Sequence, residues 1–434
     1  MSRTETLTWI QDIVAETVFV DTHEHLVEES RRFSSRSDRL LPCDDWALLF
    51  RDYLQQDLDC AGMGAEDKRQ FYDPEVSPLD KFKIVSPYWE RVQHTGYAKT
   101  FSITIRELYG VKSFAIENIE QLASQYQDVR KPGLYERVLK EVCRISECHV
   151  NSLERIFMET AQPSLLRQDL SIMELSRCSL TDIKNVESEL GVQIGSFDDW
   201  LAAIDLYFEK FGNKAVAVKY VGAYYRALNF GHVDRHVAEQ QFTTLIAARP
   251  FIGSEGAQAL EDYLFHYCLR KAQEYGLPVK LHTGYLATND SMPLGRVRDN
   301  AVDVCLLLQT YPNIRFVLMH IGYPYQDEYL ALCKQYSNAY VDLCWAWIIN
   351  PDACVRFLTE FLVSVPAHKI LTFGGDFIVA ENIVGHSVIA RRGIAESISA
   401  LVDRRWIDRG AVPELVTRLM QLNANELFPK ARAA

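Results

Sequence analysis

Residues 257–283 read AQALEDYLFHYCLRKAQEYGLPVKLHT, and this stretch holds one full unit of the pattern that decides the fold. Leu260, Leu264 and Tyr267 recur at helical spacing across residues 257–275. Gly276 then ends the helix, Pro278 prevents its resumption, and residues 279–283 form a short apolar run. Residues 300–311 repeat the pattern: a polar start at Asp299 and Asn300, an apolar face, a stop at Pro312, then a run rich in β-formers at 314–320. The same alternation predicts helices over 327–335 and 352–362, feeding strands at 339–344 and 369–376. His320 follows His282 by 38 residues and Asp376 follows His320 by 56. These are the spacings of one and of two βα units of about thirty residues each.

Upstream, residues 17–26 read as the first strand, 141–150, 169–176 and 215–220 as three more, and 197–211 as a helix. The eight strands are apolar on both sides, as parallel strands covered by helices must be. The predicted fold class is α/β, a (β/α)8 TIM barrel, with 1–434 forming a single domain. Residues 31–140 are mostly helical in pattern and unlike a βα unit. They are expected to form an insertion after the first strand, packed over the barrel mouth.

Composition narrows the function classes. Hydrophobic residues make up 48% and charged residues 24%, values of an ordinary globular protein. The net charge of −12 gives no electrostatic footprint for nucleic acid or an anionic membrane surface. The first twenty residues lack the apolar core of a signal peptide, and no apolar run reaches bilayer-spanning length. The expectation is a cytoplasmic homo-oligomer acting on a small molecule, with no nucleic-acid or membrane partner. The ten cysteines include no C-x-x-C pair, Cys143 and Cys148 coming nearest, which fits buried reduced thiols rather than a zinc site.

The chemistry sits at the strand ends. In VFVDTHEH (residues 18–25), His23 and His25 are two apart at the end of an apolar strand, so alternation puts both imidazoles on one side in chelating geometry. His282 ends PVKLH, His320 ends FVLMH and Asp376 ends LTFGGD. Four strands thus aim nitrogen and oxygen ligands at the C-terminal rim, where barrel enzymes build their sites, and a divalent metal is the joint reading. Glu24 is expected to point away from the metal as a solvated or orienting acid, and Asp21 to orient His23. Lys219 ends the apolar run AVAVK. It reads either as an ammonium that binds an anionic substrate or as a structural residue reaching the rim.

The D-x-H-x-H of Asp21 to His25, the strand-end His282 and His320, Asp376 and the run NANELF at 423–428 together resemble the amidohydrolase superfamily over nearly the whole chain, most closely its amidohydrolase-related branch. HIGYPY at 320–325 and YVDL at 340–343 are similar to the nodulin and glutamine-synthetase-associated members of that branch. The resemblance implies a divalent metal, zinc or manganese, among His23, His25, His282 and Asp376. It implies that His320 ligates a second metal or contacts the substrate, and it adds a third reading of Lys219, a carboxylated bridge between two metals. One ion or two stays open. Asp376 would take the proton of the activated water, with His320 and Lys219 as the other catalytic residues.

The expected activity is metal-dependent hydrolysis of a C–N bond in an amide, or a C–O bond in a lactone or ester, of a small carboxylate-bearing molecule. Non-oxidative decarboxylation and uronate isomerisation on the same barrel are the alternatives. Against the isomerase, Asp376 is followed by Phe377, Ile378 and Val379 where the resemblance would place an arginine. A scaffold that kept the barrel without turnover is the non-catalytic alternative. Tyr224, Arg226, Tyr285, Tyr323 and Trp345 are the substrate-contact candidates around the mouth, with Tyr220, Trp347, Arg296 and Arg298 behind them. Any of the arginines could clamp a carboxylate, and any of the aromatics could equally be core.

Overall fold

The computed structural model describes residues 3–34, 37–247, 254–287 and 291–428; the two ends of the 1–434 span and positions 35–36 of the 31–140 stretch lie outside the described residues. Among the described residues are nine strand segments, all paired in parallel: β1 (Phe19–Glu24), β2 (Ile145–Val150), β3 (Leu166–Gln168), β4 (Leu170–Ser171), β5 (Val218–Tyr220), β6 (Val279–Leu281), β7 (Phe316–Leu318), β8 (Ala339–Asp342) and β9 (Ile370–Leu371). Asp169 alone separates β3 from β4. Because β3 pairs with β2 and β4 with β5, the two segments act as one stave joining β1-β2-β3 to β4 through β9.

The ring closes just past β9. Thr22 N–H donates to Phe373 O at 3.0 Å, Asp376 N–H to His23 O at 2.9 Å and His25 N–H to Phe377 O at 3.0 Å. Eight staves and a hydrogen-bonded seam make the (β/α)8 barrel expected from the alternation.

Side chains alternate across the staves. Val279 and Leu281 pack outward with the helices, while Lys280 and His282 lie on the other face. Val20, Ala217, Val317, Met319 and Leu371 fill the interior, closed at one end by Ala424, Leu427 and Phe428. Deep in this interior Lys280 Nζ donates to both Asp169 oxygens (2.9 and 2.8 Å) and to Thr22 O (2.8 Å), 4.9 Å above the Phe428 ring. Neither side chain of the pair is exposed.

The strands expected over 141–150, 215–220 and 369–376 are shorter, at Ile145–Val150, Val218–Tyr220 and Ile370–Leu371, and two other boundaries differ for a visible reason. The helix expected to start at residue 300 spans Leu294–Thr310, because Asn300 is buried and its Oδ1 accepts the Gly284 N–H at 3.0 Å; it braces the loop after β6 rather than capping a helix. The strand expected over 169–176 begins three residues earlier and gives way to a helix at Met173–Arg177, where Ser176 Oγ donates back to Ile172 O.

Between β1 and β2 lie five α-helices among the described residues, Leu54–Cys60, Ala65–Phe71, Pro78–Val92, Gly96–Glu107 and Ile119–Val129. Trp46, Phe50, Phe71, Trp89, Phe101 and Phe114 pack edge to face among them, an arrangement aromatic quadrupoles favour. The segment is tied to the chain after β9. Arg32 makes a buried two-pronged pair with Glu381 (2.6 and 2.7 Å), Asn382 Nδ2 donates to Leu49 O (2.9 Å), and helix Gly96–Glu107 packs on helix Asn382–Asp403. The last contact needs Gly385, where a Cβ would sit 2.0 Å from Thr100 O. No helix of the described residues is long and apolar enough to cross a membrane.

Candidate metal centre

His23 and His25 leave the end of β1, and Asp376 leaves the segment beyond β9, across the closing seam. Both imidazole Nε2 atoms face the same carboxylate oxygen, Asp376 Oδ1, at 3.2 Å. His25 Nδ1 lies 2.7 Å from Asn151 O. A carbonyl only accepts, so Nδ1 carries a proton and Nε2 is the nitrogen turned toward Asp376. Burial, reinforced by Lys219, holds His23 well below the ordinary histidine range, so its ring is neutral. Burial opposes the Asp376 charge, but the ring nitrogens of His23 and His25 hold that carboxyl well below its ordinary value. A divalent cation placed between these three atoms would take the place of the protons that hold the rings and the carboxyl together. Their three ligand atoms sit within 4.8 Å of one another, and this nitrogen and oxygen set fits a divalent transition metal.

His282 and His320 form the adjoining pair. His282 Nε2 faces Tyr285 O at 2.9 Å, which leaves Nδ1 as its lone-pair nitrogen, and that atom lies 3.1 Å from His320 Nε2. His320 Nε2 is 3.8 Å from Asp376 Oδ2, and its Nδ1 meets Cys344 Sγ at 3.2 Å. Burial pushes His320 down to about 3, and burial with His320 and Lys219 nearby lowers His282. Lys219 Nζ lies against Met319 Sδ, and burial lowers its pKa to about 8.

The backbone is bent to achieve this. Alternation would send His320 away from the interior face that holds Val317 and Met319, but His320 and Ile321 adopt φ of 60° and 48° and turn the ring back. Trp345 (φ 41°) and Asp376 (φ 64°) do likewise at the next two stave ends. Left-handed backbone at non-glycine residues costs about 1–3 kcal/mol each and gathers at functional sites. Here Trp345 N–H is held by Gly374 O (2.9 Å), and Tyr53 OH donates to Asp376 O.

Glu24 is buried rather than solvated. Its Oε2 accepts the Phe377 N–H at 2.7 Å, and Gly375 is required beside it because a Cβ there would lie 1.9 Å from Glu24 Oε1. Asp21 Oδ1 accepts the backbone N–H groups of His23 (3.1 Å) and Gly375 (3.3 Å), so it braces both sides of the seam. Burial raises Asp21 to about 7, and burial together with Asp21 raises Glu24 well above the carboxylate range.

A cavity of about 350 Å³ opens over His25, Lys219, His282 and Asp376, with Tyr224 on its wall. The Tyr224 ring centre is 4.6 Å from that of His282. Arg226 serves elsewhere: it pairs with Glu261 (3.0 Å) and Asp262 and lies over the Phe230 ring, so its guanidinium is committed away from the cavity. Arg296 braces the loop by donating to the carbonyls of Tyr224 and Tyr225. Trp345 stands edge-on to His320 at 5.2 Å, with Tyr285 and then Tyr323 packed behind it, so these three wall the histidine pair. The polar cavity residues Arg39, Arg51, Asp52 and Tyr53 were not foreseen. They come from the segment between β1 and β2, and the one signal for them is the charged pair interrupting WALLFRDY at 46–53.

The family model for amidohydrolases matches residues 207–430, just over half of the chain and the part carrying Lys219, His282, His320 and Asp376. The chain belongs to the amidohydrolase family. This amidohydrolase is 33% identical over 118 residues to Protein fluG of Emericella nidulans, a match covering 26% of the chain but only 13% of that protein. It is also similar to the solved glucuronate isomerase of Caulobacter crescentus, at 13% identity over 98% of this chain and 94% of the other, with a TM-score of 0.78. The uronate isomerase of Thermotoga maritima is similar at 13% identity over 98% and 97%, with a TM-score of 0.77. At these identities the likeness is one of fold.

Proposed function

We propose that this amidohydrolase is a metal-dependent hydrolase cleaving a C–N or C–O bond of a small molecule. The observation that carries the reading is the convergence of His23, His25 and Asp376 ligand atoms on one point beneath an open cavity. A divalent zinc or manganese ion held there would supply Lewis acidity toward a carbonyl and make a water molecule acidic near neutral pH. His282 would supply a fourth ligand through Nδ1, the nitrogen left by its bond to Tyr285 O. Asp376 commits Oδ1 to the two imidazoles and keeps Oδ2 to accept a proton and return it to the leaving group. His320, held by Cys344 and 3.8 Å from Oδ2, orients that oxygen as a neutral ring. Lys219 serves either as a carboxylated bridge between two ions or as an ammonium facing the substrate.

Elemental analysis of the purified protein, combined with turnover on amides, lactones and esters, tests the reading. Metal near background and no gain of activity on adding zinc or manganese would sink it.

Uronate isomerisation is the second reading, favoured by one observation. The match to the two isomerase structures runs over nearly the full length of both chains and so includes the helices between β1 and β2. Turnover in isotopically labelled water separates the two, since hydrolysis adds one water oxygen to its products and isomerisation consumes no water.

A further inference from the structure

The segment between β1 and β2 brings two arginines to the cavity without giving them acids. Asp38 accepts the N–H groups of Leu40 (2.8 Å) and Leu41 (3.0 Å) and builds a tight turn with Arg39 at its tip. Arg51 follows the short helix Trp46–Phe50, and its Nη2 donates to Arg39 O at 3.1 Å, which holds the two residues together. Both positions are anchored from below by the Trp46 and Phe50 rings, by Asp52 accepting the Ile378 N–H (3.3 Å) and by Tyr53 on Asp376 O. Neighbouring arginines of the same segment are neutralised: Arg31 by Glu154 and Asp38, Arg32 by Glu381, Arg130 by Asp44. Among the described residues Arg39 and Arg51 make no ion pair with a carboxylate, and both line the cavity over Asp376.

We infer that Arg39 and Arg51 are the specificity-determining arm of the site and hold a carboxylate of the substrate, so that the substrate class is small carboxylic acids with the reacting carbon presented to the His23, His25 and Asp376 cluster. The inference rests on the metal reading only for the position of the reacting end. Guanidinium forks match a planar carboxylate through paired charge-assisted hydrogen bonds, and a preformed arm loses little freedom on binding. Charge selects the same ligand. The arm itself carries Arg39 and Arg51 against Asp52, one net positive charge, so a single negative group is neutralised there.

Calorimetric titration of the metal-loaded protein with malonate, succinate and D-glucuronate, each against its uncharged partner malonamide, succinamide or D-glucose, and with inorganic phosphate, tests the assignment. At least one carboxylate binds where its partner does not, and its affinity falls about ten- to a hundredfold in Arg51→Gln and in Arg39→Gln. Arg51→Lys regains only part of the loss, and Arg356→Gln, on an outer helix, changes nothing. Melting curves matching wild type show that the variants fold. Carboxylate affinity unchanged in both Gln variants, no carboxylate bound better than its partner, or phosphate bound more tightly than every carboxylate would each overturn the inference. Metal analysis of the same samples keeps the two readings apart. Arginine-dependent binding in a protein that takes up no metal sinks the hydrolase and leaves the arm; a metal-loaded protein with arginine-independent binding does the reverse.

Discussion

Lys280 and His282 stand two residues apart on one stave and face the same way, yet they end in opposite conditions. Lys280 is wholly hidden and meets a full set of acceptors in Asp169 and Thr22 O. His282, at the rim, turns its lone-pair nitrogen toward His320 beside an Asp376 already faced by two further imidazoles. Charge that is balanced inside the protein contributes to the fold. Ligand atoms gathered at the rim are placed to meet something the chain does not contain.

Exchanging the roles of the two levels should therefore separate activity from stability. The largest effect expected is at the rim: Asp376→Asn lowers turnover about a thousandfold or more, because the proposed proton acceptor and a ligand go together, while the melting temperature falls less than in the inner-pair variant below. Paired kinetics and calorimetry read both, and a large loss of stability would place Asp376 with the structural carboxylates. The inner pair should behave in the opposite sense. Lys280→Met strands the Asp169 carboxylate and costs about 3–5 kcal/mol in denaturant unfolding, and Lys280→Met with Asp169→Leu recovers most of it. If the double variant is no better than the single, the pair is not an isolated unit.

Lys219 lies between the two levels and sharpens the contrast. Lys219→Ala is expected to lower metal content from about two ions per chain to about one, as loss of a bridging carbamate requires. A wild-type protein that never exceeds one ion, even with excess metal and bicarbonate, assigns Lys219 to the ammonium role instead. The smallest effect belongs to Glu24→Gln, which should keep turnover within about tenfold of wild type because the amide imitates the protonated acid and still accepts from Phe377 N. Its signature is in pH. Asp21 rises from 3.8 to about 7 and Glu24 also rises, so their contribution to stability is complete below about pH 4 and is lost as pH climbs through about 7. Glu24→Gln removes one of these ionisations, and melting temperature against pH should flatten over that range.

The rim was legible and the interior was not, for a physical reason. A histidine or aspartate that ends an apolar run breaks the pattern where barrel chemistry is built, so His23, His282, His320 and Asp376 could be picked out one strand at a time. Lys280 sits inside such a run, and its partner Asp169 is 111 residues away, a pairing that no local periodicity records. Helices 197–211 and 327–335 were readable because a stop lies at each end, the first opening with a Ser196–Asp199 capping box. The start at Leu294 was hidden because Asn300 looked like a cap while serving Gly284. Arg39 and Arg51 escaped because the segment between β1 and β2 has no strand end to point toward the mouth.

The seam between the first and last staves also sets an order of events. His23 and His25 belong to the start of the chain and Asp376 to a stretch about 350 residues later, and the hydrogen bonds that bring them together are those that close the ring. A chain emerging during synthesis holds the two imidazoles on one strand without the Asp376 carboxylate that faces both of them in the closed ring. Only when the final stave docks does Asp376 arrive, so tight metal capture would report that the barrel has finished assembling, and an ion held there would staple the two edges and slow their parting.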